Sequence, residues 1–445
     1  MPQSGARRIF VGRTVSFADE QRLVEYDPGF IRVDRRGKIL DYGAWNRTTR
    51  ARWPSARITR FNHALVMPGF IDTHLHLPQM HLRGIYGADL LEWLRRYILP
   101  AEAQFANPGI ARRTAREFFA ELLRNGTTTA LVYSSVHARA TDIAFEEADR
   151  AGIRALIGKV MMDRNVPVAM RERTDRSLAE SLDLFRRWQG FDRNRLQYAF
   201  APRFAPACSV RLMQGVGRLA AENSAHITTH LAETREEVEL TRRLFPGYAR
   251  YTELYYRMGL LGPRTVAAHC IHLAAGEYHR LSRTDTRVAH CPSANLFLHA
   301  GSMDLRRMER EHITVGLGTD VGAGPSFSLF TVMQNMYFLH KTPPRKAFFR
   351  ATLGGARALG LDSVIGSFEP GKEADFIVVH CPEIHLWSRG RQPTSLPIDD
   401  LLAQLMFRGD DRLIRASYVR GREIYGSANQ SVLGSCGVGR LKASR

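Results

Sequence analysis

The sequence predicts an α/β protein: a (β/α)8 TIM-like barrel that carries a small β-sandwich domain formed by both chain termini. Three observations lead there. Strand-like apolar runs recur eight times in the middle of the chain, and segments with helical patterning intervene. Repeated strand–helix units imply a parallel sheet, and eight of them imply a closed barrel. Short strand-like runs broken by turn signals stand at both ends of the chain, and polar residues gather where several of the central runs stop.

Taken in order, residues 1–66 hold "RIFVGRTVSF" and "FIRVDRRGKILDYG", small strands and not helices. The barrel is expected over 67–373. Its strand candidates are "LVMPGFIDTHLH", "GTTTALVYSS", "RALIGKVMMD", "LQYAFAPRF", "HITTHLAE", "TVAAHCIHL", "RVAHCPSANL" and "TVGLGTDVG". Helical stretches such as "ARRTAREFFAELLRN" and "REEVELTRRLF" lie between them. Strand material returns in 374–426 with "ADFIVVH" and "IRASYVRGREIYG", completing the small domain. The last segment, 427–445, is small, polar and basic and reads as a flexible tail.

Bulk composition narrows the function classes. The chain has 445 residues, 44% of them hydrophobic, which supports a sizeable core, and no apolar run long enough to span a membrane. Its five cysteines (Cys208, Cys270, Cys291, Cys381, Cys436) are dispersed without a CxxC pair. With no secretory signal at the start, they read as free thiols in a cytoplasmic protein. The net charge is +19, and 57 of the 63 basic residues are arginine. A balance of this size can attract polyanions. The arginines, however, are interspersed with acids along helical stretches and are not interleaved with aromatics as in single-strand binders. The reading is therefore a basic surface without nucleic-acid function.

The candidate chemistry sits at the strand ends. His74 and His76 close the first run two residues apart, so both imidazoles face the same side. His230 ends the fifth run, His269 the sixth and Asp320 the eighth. Three histidines and an aspartate suit a divalent ion such as Zn²⁺, whose catalytic sites keep a position for water. Glu233, three residues after His230, stands where strand hands over to loop and can shuttle protons. Glu236 and Glu237 fit a helix start instead, where carboxylates favour the dipole. Lys159 on the third run reads as a structural ion pair beside a single metal. His290 and Asn295 stay open between a role beside the site and a buried hydrogen-bonded one. Alternation turns Cys270 and Cys291 away from the histidines they adjoin. His81, His137 and His272 are given no role.

With these residues in view, "PGFIDTHLH", "THLAE", "AHC", "HCPSAN" and "GLGTDVG" resemble the amidohydrolase superfamily over nearly the whole chain. Narrower marks are similar to its guanine deaminase branch: "HLHLPQ", "LLEWLRRYILPAE", "GTTTA", "GKVMMD", "APRFAPACS", "ATLGGARALGL" and "GDDR". The resemblance implies one zinc per subunit held by His74, His76, His230 and Asp320, with His269 a close partner of the attacking water. It implies that Glu233 and Asp320 move protons, that Gln79, Arg203 and Phe204 bind the purine, and that the protein is a homodimer. The basic tail and the high positive charge depart from the family pattern without touching the motif positions. Two other readings compete: an amidohydrolase acting on an aminotriazine or a modified adenosine, and a nucleic-acid-binding protein that retains a metal barrel.

Overall fold

The computed structural model describes residues 8–87, 89–380 and 396–426. The tail expected over 427–445 lies outside the described residues. Four strands open the chain: β1 (Arg8–Phe17), β2 (Leu23–Val33), β3 (Ile39–Ala44) and β4 (Arg57–Pro68). The barrel strands follow: β5 (Phe70–His76), β6 (Thr127–Tyr133), β7 (Arg154–Gly158), β8 (Val160–Met161), β9 (Leu196–Pro202), β10 (His226–Leu231), β11 (Thr265–His269), β12 (Arg287–His290) and β13 (Val315–Leu317). Three more close the chain: β14 (Phe376–His380), β15 (Ile414–Val419) and β16 (Arg422–Gly426).

Strands from both ends form one seven-stranded mixed sheet in the order β16-β15-β14-β4-β1-β2-β3. The strands expected in a sandwich are thus hydrogen-bonded side by side. One face buries Phe10, Ile31, Phe376 and Tyr418, with the Phe376 and Tyr418 rings stacked at 4.4 Å. The opposite face packs Ile9, Val11, Phe30 and Trp45.

The central strands run parallel in the order β13-β12-β11-β10-β9-β7-β6-β5, with the short β8 beside β9. The barrel is nearly closed: no ladder joins β13 to β5, and a side-chain bond between them and bonds from β5 to the loop after β13 bridge the seam instead. Thr73 Oγ1 donates to the Leu317 carbonyl at 2.9 Å, Asp320 N to the His74 carbonyl at 2.9 Å and His76 N to the Val321 carbonyl at 2.7 Å. Every residue of β5, β6, β7, β9, β10, β11 and β13 is buried. Helices cover such strands on the outside. The helix Pro108–Arg124 shows how: Asn107 caps it by accepting from Gly109 N and Ile110 N, and proline takes its first position. Its buried face is Ala111, Ala115, Phe118, Phe119, Leu122 and Leu123, recurring at helical spacing. Each phenylalanine buried there contributes on the order of 2–3 kcal/mol.

The expected first run divides at Gly69. Leu65–Pro68 finish β4 of the small sheet, while Phe70 begins the barrel. A Cβ at Gly69 would lie 2.0 Å from Thr128 Oγ1, so only glycine lets the chain pass this close between the two sheets. A buried ion-pair cluster ties the two parts together. Arg154, at the start of β7, binds Glu373 and Asp375, which precede β14, and Arg420 Nε reaches Glu373 at 2.7 Å.

Candidate metal centre and active-site cleft

The barrel geometry brings the strand-end residues to one place. His74 and His76 are both directed to the same side of β5, as a two-residue spacing requires. Their Nε2 atoms lie 3.4 and 3.3 Å from Asp320 Oδ1. His230 Nε2 lies 3.2 Å from His76 Nε2. His269 Nε2 lies 3.6 Å from Glu233 Oε2 and 3.9 Å from Asp320 Oδ2. His74, His76 and His230 offer donor atoms within 4.8 Å of one another, as do His74, His269 and Asp320. All five of these residues and Glu233 are buried.

Two residues of this rim have strained backbones. His269 has φ +70° and Asp320 φ +50°, the left-handed region that non-glycine residues rarely occupy. Such strain persists where surrounding structure over-determines it, commonly at functional sites. Asp72 supplies part of that structure. Its carboxylate accepts from His74 N at 3.2 Å, from Thr319 N at 3.1 Å and from the Thr319 hydroxyl, joining the segments that carry His74 and Asp320.

The protonation pattern fits a divalent cation. Burial pushes the His74 imidazole down to about 4, and burial with neighbouring histidines holds His230 well below its ordinary value. Burial lowers His76 as well. Burial also pushes the Asp320 carboxyl upward, but the His74 and His76 imidazoles, with Nε2 3.4 and 3.3 Å from Asp320 Oδ1, outweigh it and hold the group well below the carboxylate range. The set at neutral pH is three neutral imidazoles and one carboxylate, the state a metal requires of its ligands. His230 Nδ1 donates to the Arg203 carbonyl at 2.7 Å, which leaves the Nε2 lone pair free to bind. Both nitrogens of His74 are buried without a hydrogen-bond partner among the described residues. A buried imidazole so placed suits a ligand.

Glu233 follows β10 and precedes the helix Arg235–Leu244. Glu237 belongs to that helix start. It closes a capping box with Thr234, and its Oε2 accepts from Glu233 N at 2.7 Å, fixing the catalytic candidate's backbone. Burial raises the Glu233 carboxyl to about 7, against the lowering effect of His269. A carboxyl near 7 can both give and take a proton. Burial alone would lower His269, but the charges of Glu233 and Asp320 outweigh it and raise the imidazole.

A cleft opens over the cluster, lined in part by His76, Gln79, Trp93, Arg203, Phe204 and Glu233. Gln79 and Arg203 are buried, and Phe204 is half-buried. Of the residues left open, Asn295 belongs beside the site: its Oδ1 accepts from His269 Nδ1 at 2.9 Å. His290 points elsewhere, with Nε2 3.2 Å from His340 Nε2. Lys159 pairs with Glu172 and lies 3.9 Å from Glu180, fully buried. Cys270 and Cys291 are buried thiols. His81 is exposed near Glu117, and His272 Nε2 bonds the Ala300 carbonyl.

Residues 65–424 match the amidohydrolase family. The guanine deaminase of Escherichia coli strain K12 is 39% identical over 425 residues, 94% of this chain and 96% of that protein. The chain belongs to the guanine deaminases of the amidohydrolase family. The structure of E. coli guanine deaminase aligns with a TM-score of 0.89 at 36% identity, over 94% of this chain and all of that one. A C. acetobutylicum guanine deaminase with guanine bound in its active site aligns at 0.87 and 30% identity, over 94% and 100%. An adenosine deaminase from Xanthomonas campestris with bound zinc aligns at 0.81 and 25% identity, over 94% and 92%.

One residue of the cleft escaped the sequence reading. Glu102, buried on the short helix Leu99–Ala103, accepts from Gln79 Nε2 at 2.8 Å and from Arg203 Nη1 at 2.7 Å. "LLEWLRRYILPAE" marked the family without assigning this acid a role. The available signal was a carboxylate in an otherwise apolar turn, "ILPAEA".

Proposed function

We propose that this chain hydrolytically deaminates guanine to xanthine and ammonia, using one zinc ion per subunit held by His74, His76, His230 and Asp320. The observation that carries the reading is the convergence of those four residues with Glu233 in the cleft lined by Gln79 and Arg203. Iron accepts similar ligands. The zinc assignment is supported by the donor set and by the zinc in the Xanthomonas neighbour.

A divalent ion held by this set would supply Lewis acidity and lower the pKa of a water to about 7. Asp320 takes the proton that the attacking water loses. The oxygen adds to C2 of guanine, the carbon bearing the amino group. Glu233 protonates N3, which draws the electron pair released by the addition onto that nitrogen. The proton held by Asp320 passes to the amino group, which leaves as ammonia, while the C2 hydroxyl gives its proton to Glu233 and becomes the carbonyl of xanthine. His269, 3.6 Å from Glu233 Oε2, helps hold the water. Arg203 can only donate, so it suits the C6 carbonyl of guanine and opposes the amine of adenine. Gln79 reads the ring edge, and Phe204 offers its face to the flat base.

The reading extends to a cytoplasmic homodimer with a small domain from 1–66 and 374–426 around a barrel from 67–373. Free, buried Cys208, Cys270 and Cys291 support a reducing compartment. Among the described residues, no helix is long and apolar enough to cross a membrane. Ultraviolet spectra over time, with guanine offered beside adenine, cytosine and an aminotriazine, test the substrate. Turnover of guanine is expected. Untouched guanine beside a consumed alternative ring would overturn the assignment.

A further inference from the structure

We propose that Glu102 is a positioning residue that locks the donor–acceptor order of the purine-reading pair, Gln79 and Arg203. The inference rests on the substrate reading above and deepens it. An ionised carboxylate only accepts hydrogen bonds. Beside Glu102 Oε1, the Gln79 side chain is therefore held with its NH2 toward the acid, and its Oε1 lies on the side of Gly322 N, 3.4 Å away. A cleft glutamine without such a neighbour can turn its amide over and present either order. Arg203 uses the other oxygen of the same carboxylate, so one buried acid anchors both readers.

The helical segment is shaped to deliver it. Between Leu90–Trp93 and Leu99–Ala103 the chain makes a π-helical turn over Leu94–Ile98, in which Leu99 N bonds the Leu94 carbonyl. Such turns are rare and shift the faces of the residues beyond them. Here Trp93 and Leu94 line the cleft while Glu102 reaches the readers behind it. Gly322 closes the other side: a Cβ there would meet the Gln79 carbonyl oxygen at 2.5 Å. The glutamine is gripped from two directions.

The consequence is discrimination at C6. Guanine presents an acceptor at O6 beside a donor at N1. A 6-aminopurine presents a donor beside an acceptor. A fixed order pairs with the first and leaves buried polar groups unpaired with the second, and sites of this kind discriminate strongly. With the lock removed, the amide can turn to suit either ring.

The test uses full-length, metal-loaded protein and the variants Glu102→Gln and Glu102→Asp. Glutamine at 102 keeps the shape but can donate as well as accept. The ratio of kcat/KM for guanine over 2,6-diaminopurine is expected to fall at least about tenfold in Glu102→Gln. The change should appear mainly as a raised KM for guanine, with bound metal unchanged. Glu102→Asp, which keeps an acceptor-only group, should recover part of the ratio. A binding arm is independent of turnover: protection from thermal unfolding by hypoxanthine over adenine should be clear in the wild type and shrink in Glu102→Gln. A selectivity ratio and binding preference equal to wild type in Glu102→Gln, or no binding preference in the wild type, overturns the proposal. Failure of the functional reading looks different, as purine binding with the expected preference but no release of ammonia from guanine.

Discussion

The Nε2 atoms of His76 and His230 face each other at 3.2 Å, with Asp320 Oδ1 3.3 Å from His76 Nε2. The Nδ1 proton of His230 is committed to the Arg203 carbonyl, so its Nε2 meets His76 as a lone pair. Only a single proton or a cation can sit between such groups without repulsion. A divalent ion satisfies both lone pairs and the carboxylate together.

Metal dependence follows. His76→Ala should lower metal affinity by more than the roughly 10–100-fold typical of removing a supporting partner. Metal content by mass spectrometry after dialysis, with ammonia release measured in parallel, checks this. Chelation of the wild type should also lower its melting temperature, because an ion bound only by the folded state stabilises it. Full metal retention in His76→Ala would remove it from the ligand set.

Glu233→Gln separates proton transfer from metal binding. The carboxyl, raised by burial to about 7, becomes an amide that cannot exchange a proton. Metal content should be unchanged and kcat should fall about 10²–10⁴-fold. Activity near wild type would exclude Glu233 from the proton-transfer role.

Arg154 predicts a stability effect away from the chemistry. It neutralises Glu373 and Asp375 in a buried cluster, and Arg154→Met leaves both acids without that partner. Removing one member of a buried pair typically costs about 3–5 kcal/mol. The urea midpoint should fall accordingly, while the variant that remains folded keeps its KM. An unchanged midpoint would show that Arg420 alone suffices for the two acids.

His226 predicts an acid-labile term. It is the first residue of β10, with Nε2 on the Leu359 carbonyl, and burial pushes its imidazole from 6.5 down to about 4. A depressed value means the unfolded chain binds the proton first. Stability is therefore intact above pH 6.5 and declines as pH falls toward 4, by on the order of 3 kcal/mol from this residue. His226→Gln keeps a donor for Leu359 and removes the titration. The difference in stability between variant and wild type should shift toward the variant between pH 6.5 and 4. A difference that does not change with pH would place the proton elsewhere.

Much of the site was legible because strand ends follow directly from local pattern. His74 and His76 share a side by alternation, and a parallel barrel delivers His230, His269 and Asp320 to the same rim. The first run misled at its start. "LVMPGFIDTHLH" reads as one strand, yet Gly69 divides it between two sheets because of Thr128, a neighbour 59 positions away. The Cys270 and His290 environments show the same limit: both are buried, and only folding tells which neighbour each meets.

The sequence by itself determined the barrel, the small domain built from both ends, and the four residues that converge with Glu233. These follow from periodicity and from residue chemistry at strand ends, both local properties. The tertiary structure alone decided that Asn295, and not His290, bonds His269, that the barrel seam is closed by side-chain and loop hydrogen bonds, and that Glu102 joins Gln79 to Arg203. Hydrogen bonds depend on distances of about 3 Å, and their partners here stand 23 and 101 residues apart in the chain. No local pattern encodes that proximity; the packing of the helical segment 90–103 against the barrel mouth creates it.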